Sequence, residues 1–463
     1  MNDPQLLALL DQAHAHARAY LQGLDERPVF PDAEALAGLA AFDEALPEQG
    51  ADPFETLRRL HEVGGPATVA QVGGRYFGFV NGGVRPTALA ARWLADVWDQ
   101  NAALWATSPV ASRLEAVCER WLVELLGLPA GTAVGFVSGT AVSLLVALAA
   151  ARDALLLRQG WDAGSRGLFG APELRVLVSE QAHATVSRAL GLVGLGRDRV
   201  LRIPCDAQGA LRDDLLPPLD DRTLVVLGAG HVATGAFDPL RHVCTVARRA
   251  GAWVHVDGAF GLWAATSPAT AHLTDGLALA DSWSADAHKT LNAPYDSGLV
   301  LCRDREALVG ALRMDGAYLQ WGSDGARDGM RLTPEMSRRA RAIELWALLR
   351  TEGRAGVAAI IDGLCARARQ FRDGLDAAGF LILNEVVFNQ VLVACETPAL
   401  TEATLAAVQS SGELWCGGTR WQDEIAIRIS LCSAETSPSD VERCVAAFVS
   451  AREHAGRALI QGD

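Results

Sequence analysis

Short apolar runs alternate along this chain with longer stretches of helical periodicity. Apolar residues recur on one face over Gln5–Leu21, Pro86–Val97, Ala111–Leu126 and Ala141–Leu157, which predicts helices there. Pro28 and Pro31 break the helical pattern after the first of them. From about 170 to 305 the pattern changes. Six β-rich runs, LRVLVS (174–179), RVLRI (199–203), TLVVLG (223–228), WVHVD (253–257), DSWSAD (281–286) and GLVLC (298–302), alternate with helical stretches. Such strands predict a mostly parallel sheet covered by helices on both faces. After about 335, helices over Ser337–Thr351 and Val357–Ala378 lead to strands near LILNEV, NQVLVAC, ELWCG and IAIRISL, and a last helix spans Asp440–His454. The fold class is therefore α/β. A helical N-terminal segment (1–85) precedes a large α/β domain (86–335) and a small C-terminal α+β domain (336–463). The one-sided helix at 5–21 needs cover, either from its own core or from a partner subunit.

Composition narrows the function classes. Half of the 463 residues are apolar and about a fifth are charged, as in a core-forming globular chain. The net charge of −14 argues against a nucleic-acid partner, which wants a basic stripe. No apolar run approaches the roughly 18–20 residues of a membrane span. The N-terminal MNDPQLLALLDQ lacks the basic start of a secretory signal. Nine cysteines are scattered from Cys118 to Cys444 without a CxxC pair. A disulfide framework and a cysteine-based metal site are not expected, and reduced cytoplasmic thiols are. Of 41 basic residues, 40 are arginine and one is lysine, Lys289. An average chain of this length would hold roughly twenty lysines or more. A coding bias toward arginine explains the forty. The exception matters because only lysine can lose its proton near neutral pH and attack a carbonyl.

Four segments place polar residues at strand ends, where open α/β sheets bind ligands. In FVSGTAVS (136–143) a small-residue turn precedes an apolar helix, which suits a phosphate, with Thr140 as an added donor. The same segment also reads as an ordinary strand-to-helix loop. In HVDGAFG (255–261), Asp257 ends a buried type of strand; it is either a cap or salt-bridge residue or the counter-ion of a protonated ring nitrogen. In DSWSADAHKTLNAPYDSG (281–298) the lone lysine follows His288 just past a strand. In SEQAHAT (179–185), His183 gains weight only from this company. An amine, a carboxylate, an anion cradle and a flat ring together fit pyridoxal 5'-phosphate, which needs each of them.

At these residues the chain resembles the group II pyridoxal-phosphate-dependent amino-acid decarboxylases, fold-type I proteins that include glutamate and aromatic-amino-acid decarboxylases. RYFGFVNGG (75–83), WATSPVASRLE (105–115), SEQAHATV, TGAFDP (234–239), HVDGAFG, ADAHKTLNAPYDSG, TPEMSRRARAIELWALL (333–349), FNQVLV (388–393) and GGTRWQ (417–422) fall in family order. The resemblance implies a seven-stranded-type sheet and a set of roles. Lys289 would link the cofactor through an imine. Asp257 would pair with the ring nitrogen, with Ala259 near the ring and His183 stacked on it. Gly139, Thr140 and Ala141 would cradle the phosphate, and His288 would sit beside the phosphate or the reacting carbon. Thr234 would lie close to the cofactor. Members are typically homodimers with sites at the interface, so Gly418 and Thr419 would approach the partner's phosphate. Phe79, Val80 and Trp105 would line the substrate side. The implied reaction is decarboxylation of an L-amino acid to an amine.

Three departures bear on the outcome. The phosphate loop reads S-G-T-A-V-S-L, where the family usually has S-G-G/A-T-x-A-N. Gly329 falls where the animal-type enzymes carry a proton-donating loop tyrosine, and Tyr318 is the nearest tyrosine. His231 stands where bacterial relatives usually show Asn, as an acid, a base or a simple replacement. Other outcomes on the same cofactor therefore stay open: oxidative decarboxylation–deamination to an aldehyde, aldol chemistry or transamination. So does a catalytically idle homologue. Apolar Phe79, Val80 and Trp105 suggest an apolar or aromatic substrate, while Arg420 suggests a carboxylate.

Overall fold

Seven strands form one sheet: β1 (Ala133–Val137), β2 (Arg175–Ser179), β3 (Val200–Ile203), β4 (Thr223–Gly228), β5 (Trp253–Asp257), β6 (Ser282–Asp286) and β7 (Gly298–Cys302). The computed structural model describes residues 4–314 and 326–461. The sheet order is β1-β7-β6-β5-β4-β2-β3. From β6 to β3 every pair is parallel, and β7 runs antiparallel to both neighbours. Alternation along the strands explains the two covered faces. Leu224 and Val226 of β4 pack with Leu144 and Leu148 of the helix Thr140–Arg158. Val225 and Leu227 point the other way, into a core shared with Val243, Leu345 and Leu348. Each such side chain contributes about 1.5–3 kcal/mol by leaving water. The helix Thr140–Arg158 is apolar enough to cross a membrane, but ten of its residues are buried, several of them in this core.

β1 lies between the expected helices Ala111–Leu126 and Ala141–Leu157, outside the six β-rich runs. Gly135 weakens the strand signal, and the structure shows why glycine is there. A Cβ at 135 would overlap the Leu332 carbonyl oxygen. The second sheet, β10-β11-β9-β8, is antiparallel and comprises β8 (Leu381–Ile382), β9 (Gln390–Ala394), β10 (Gly417–Trp421) and β11 (Glu424–Ser430). ELWCG is thus not a strand except at its last residue; Trp415 bridges Tyr76 instead. The helices expected after 335 are one run, Ala342–Ala377, broken at Gly353 with φ 59°. It starts later than expected because Arg338, Arg339 and Arg341 are held outside it by ion pairs to Glu115 and Asp296. The N-terminal helix Pro4–Gln22 buries none of its residues, and Leu6, Leu7 and Leu10 stay exposed. The chain's own core does not cover it.

Candidate active site

The parallel strands aim their carboxyl ends at one cavity of about 440 Å³. Its walls come from the residues just past β1 (Gly139, Thr140, Ala141), β2 (Gln181, His183), β4 (Gly230, His231, Val232), β5 (Asp257, Ala259, Phe260) and β6 (Asp286, His288, Lys289). The crossovers of an open α/β sheet converge there by geometry alone. Phe79 and Val80 close the remaining side. Both have left-handed backbones, φ 52° and 61°, which a β-branched residue adopts only under constraint. Backbone contact supplies it: a Cβ at Gly82 would overlap the Lys289 carbonyl oxygen.

Lys289 follows β6 by three residues, and its Nζ lies 3.3 Å from Asp286 Oδ2. Asp286 Oδ1 accepts from the Thr140 N–H at 2.7 Å, so one carboxylate ties the lysine to the start of the helix Thr140–Arg158. That helix N-terminus favours an anion. The Thr140 hydroxyl there is buried without a hydrogen-bond partner. An orphaned buried hydroxyl costs free energy unless a ligand satisfies it. Asp257 Oδ1 accepts from the Ala259 N–H at 3.3 Å and makes no ion pair among the described residues. Burial pushes its pKa up, against the nearby His183 and Lys289. A cationic N–H placed in the cavity would relieve it.

His183 caps the helix Ala184–Leu192, and its Nδ1 accepts from the Thr185 N–H at 3.3 Å. With the Thr185 N–H donating and its hydroxyl 2.7 Å away, both at Nδ1, the proton of the neutral ring is assigned to Nε2. Burial lowers the pKa of His183; Lys289 and Arg428 reinforce the shift and Asp257 opposes it. His288 Nδ1 accepts from Ser297 N–H at 3.1 Å, and its Nε2 stands 3.6 Å from Asp286. Burial keeps this ring neutral too, with Asp286 opposing. The donor set fits pyridoxal 5'-phosphate: a primary amine, an unpaired carboxylate, an anion-seeking helix end and an unsatisfied hydroxyl in one cavity.

Not every expected residue is on this wall. Gly139, Thr140, Ala141, His183, Asp257, Ala259, His288, Lys289, Phe79 and Val80 are brought together. Thr234 stands behind the wall, where its hydroxyl donates to the Gln208 carbonyl at 2.6 Å. Trp105 is on the surface, its backbone N–H donating to Asp328 Oδ1 at 2.9 Å. Gly418 and Thr419 lie on β10, away from the cavity of their own chain. Gly329 is buried in a short turn, where a Cβ would overlap Arg338 Nη2. A side chain there would have to displace the Arg338 guanidinium and press on the Ala102 carbonyl. Tyr318 lies outside the described residues.

Two further residues, one lining the cavity and one behind its wall, are ones that sequence patterns do not single out. Asp286 is one; its only signal is a place at a strand end, three positions before Lys289. Arg428 of β11 is the other. Its guanidinium, half-buried, is felt at both His183 and His231, and no carboxylate pairs with it among the described residues. Its only signal is a lone arginine in an apolar strand. Arg420, the sequence candidate for meeting a carboxylate, is exposed on β10.

Known proteins resemble this chain in sequence and in fold. The family model described as the pyridoxal-dependent decarboxylase conserved domain matches residues 68–394. The aromatic-L-amino-acid decarboxylase of Sus scrofa is 28% identical over 447 residues, 91% of each chain. The 4-hydroxyphenylacetaldehyde synthase of Rhodiola rosea is 29% identical over 368 residues, 73% of this chain and 72% of that one. The crystal structure of Oryza sativa TDC with PLP and tryptamine superposes with a TM-score of 0.88 at 24% identity, covering 98% of this chain and 99% of that one. At that identity the likeness shows the fold.

Proposed function

This chain belongs to the pyridoxal-dependent decarboxylase family, and from that premise we propose that it releases carbon dioxide from an aromatic L-amino acid at the cavity around Lys289. The observation that carries the reading is the convergence there of the only lysine, the unpaired Asp257 carboxylate and the unsatisfied Thr140 hydroxyl. The cofactor, when bound, supplies a carbonyl that joins to amines and a ring that draws electrons from the breaking bond.

The protein's own groups divide the remaining work. Lys289 supplies the amine, and Asp286 beside it positions that nitrogen in the cavity. Asp257 would hold a proton at the ring nitrogen. Thr140 and the helix end behind it would hold the phosphate. His183 would face the ring, and Arg428 would orient the substrate carboxylate. Phe79, Val80 and Phe260 exclude water and favour an apolar or aromatic side chain.

A second reading has a specific support: one relative is named an aldehyde synthase. A screen of the common amino acids that reads carbon dioxide, amine, aldehyde and peroxide together separates the two. Amine equal to carbon dioxide supports simple decarboxylation. Aldehyde with peroxide supports the oxidative outcome. No carbon dioxide from any amino acid defeats both.

We also propose that the working form is a homodimer. Trp93, Leu94, Val97 and Trp98 make one exposed apolar face on the helix Pro86–Trp98, and the helix Pro4–Gln22 exposes another. Phe79 at the cavity mouth is 63% exposed. Light scattering after size-exclusion is expected to give twice the 49.1 kDa chain mass. Leu94→Glu with Trp98→Glu is expected to give monomers, with at least about a tenfold loss of activity if the interface completes the site. A wild-type monomer with full activity would contradict this.

A further inference from the structure

His231 lines the cavity three residues past β4. The backbone N–H groups of Ala233 and Thr234 each donate to its Nδ1 at 3.4 Å, and the Thr234 hydroxyl is 3.2 Å away. The two amide donors assign the proton of the neutral imidazole to Nε2; the Thr234 hydroxyl, whose own proton goes to Gln208, adds no donor at Nδ1. The ring is also clamped. Trp421, at the end of β10, packs on it at 5.2 Å, and a Cβ at Gly209 would lie 3.3 Å from Nδ1. Burial, then His183 and Arg428, disfavour a second proton and bring the pKa down to about 4. Nε2 has no protein partner among the described residues. A hydroxyl or amide at this position can turn to donate or accept. This imidazole, with Nδ1 occupied, can only donate.

We propose that His231 donates a fixed hydrogen bond from Nε2–H to an anionic oxygen in the cavity. This rests on the reading of the site as a cofactor-dependent decarboxylase. Two oxygens share the chemistry: the ring oxygen of the cofactor and the carboxylate of the amino acid. A neutral donor suits either, because it stabilises the anion without adding a third cation beside Arg428 and Lys289.

The test uses the loaded enzyme and two readings besides turnover. One is the pH midpoint of the resting cofactor absorbance without substrate. The other is the dissociation constant, read from the same spectrum, of the aromatic amino acid that wild type decarboxylates fastest and of its amine. His231→Leu is expected to shift the resting midpoint by about one unit if the cofactor oxygen is the acceptor. If the carboxylate is the acceptor, binding of the amino acid weakens at least about tenfold and that of the amine is unchanged. His231→Gln, which keeps an N–H, is expected to restore most of either effect. An unchanged midpoint together with unchanged binding of both ligands overturns the proposal. So does a glutamine variant as impaired as leucine. Should the leucine variant not fold, the histidine ring ¹⁵N shifts of wild type decide. A bare Nδ1 from about pH 6 to 9 upholds the proposal and the opposite tautomer overturns it. A wild type without any lysine-dependent absorbance would instead defeat the functional reading itself.

Discussion

Lys289→Ala is expected to abolish the visible cofactor absorbance near about 420 nm and to lower carbon dioxide release by about 10³-fold or more. The sharper variant is Lys289→Arg. It keeps a cation opposite Asp286, so the 3.3 Å ion pair and the fold it helps hold survive. It removes the one property arginine lacks, a nitrogen that can lose its proton and bond to carbon. Forty arginines elsewhere in the chain show that a generic cation here would have been arginine too. The expected result is therefore a folded protein, as colourless and as inactive as the alanine variant. Absorbance spectra and carbon dioxide release on the three purified proteins check it. Substantial activity in the arginine variant would mean that Lys289 serves only as a charge.

Asp257→Asn is expected to lower activity by about two to four orders of magnitude, because an amide cannot hold a proton on the ring nitrogen. Its effect on stability has the opposite sign. Burial raises the Asp257 pKa above its ordinary value of 3.8. A carboxylate raised in the folded state binds more protons there than in the unfolded chain, so stability falls as pH climbs from near that value through the raised pKa. Above that window the cofactor-free protein carries the full penalty. The asparagine variant removes it and, without cofactor, is expected to melt no lower than wild type at neutral pH. Thermal melts with and without added pyridoxal 5'-phosphate check this. The cofactor is expected to stabilise wild type more than the variant. A variant that melts lower without cofactor and keeps wild-type activity would remove Asp257 from the site.

Local pattern carries much of this protein, and long-range contact carries the rest. The parallel strands are legible because most are short β-rich runs between helical stretches; Asp257 ends one, and Lys289 follows another by three residues. β1 is not, because Gly135 gives way to the Leu332 carbonyl, nearly two hundred residues on. Asp286 reads only as the last strand residue, since nothing local shows that its carboxylate reaches both Thr140 and Lys289. Arg428 comes from the other sheet, and no spacing predicts that β11 brings it to within reach of His183. Thr234 shows the converse error. It stands in a segment that resembles the family, yet its hydroxyl is spent on Gln208, and His231 beside it faces the cavity.

The most direct test is to reduce the cofactor-loaded protein with borohydride and weigh it intact. With one lysine in the chain, the place of attachment needs little mapping. One cofactor per chain, recovered on the peptide that contains Lys289 and absent from Lys289→Arg, is the predicted result. Cofactor trapped in equal amount in that variant, or none trapped in wild type, would contradict the account.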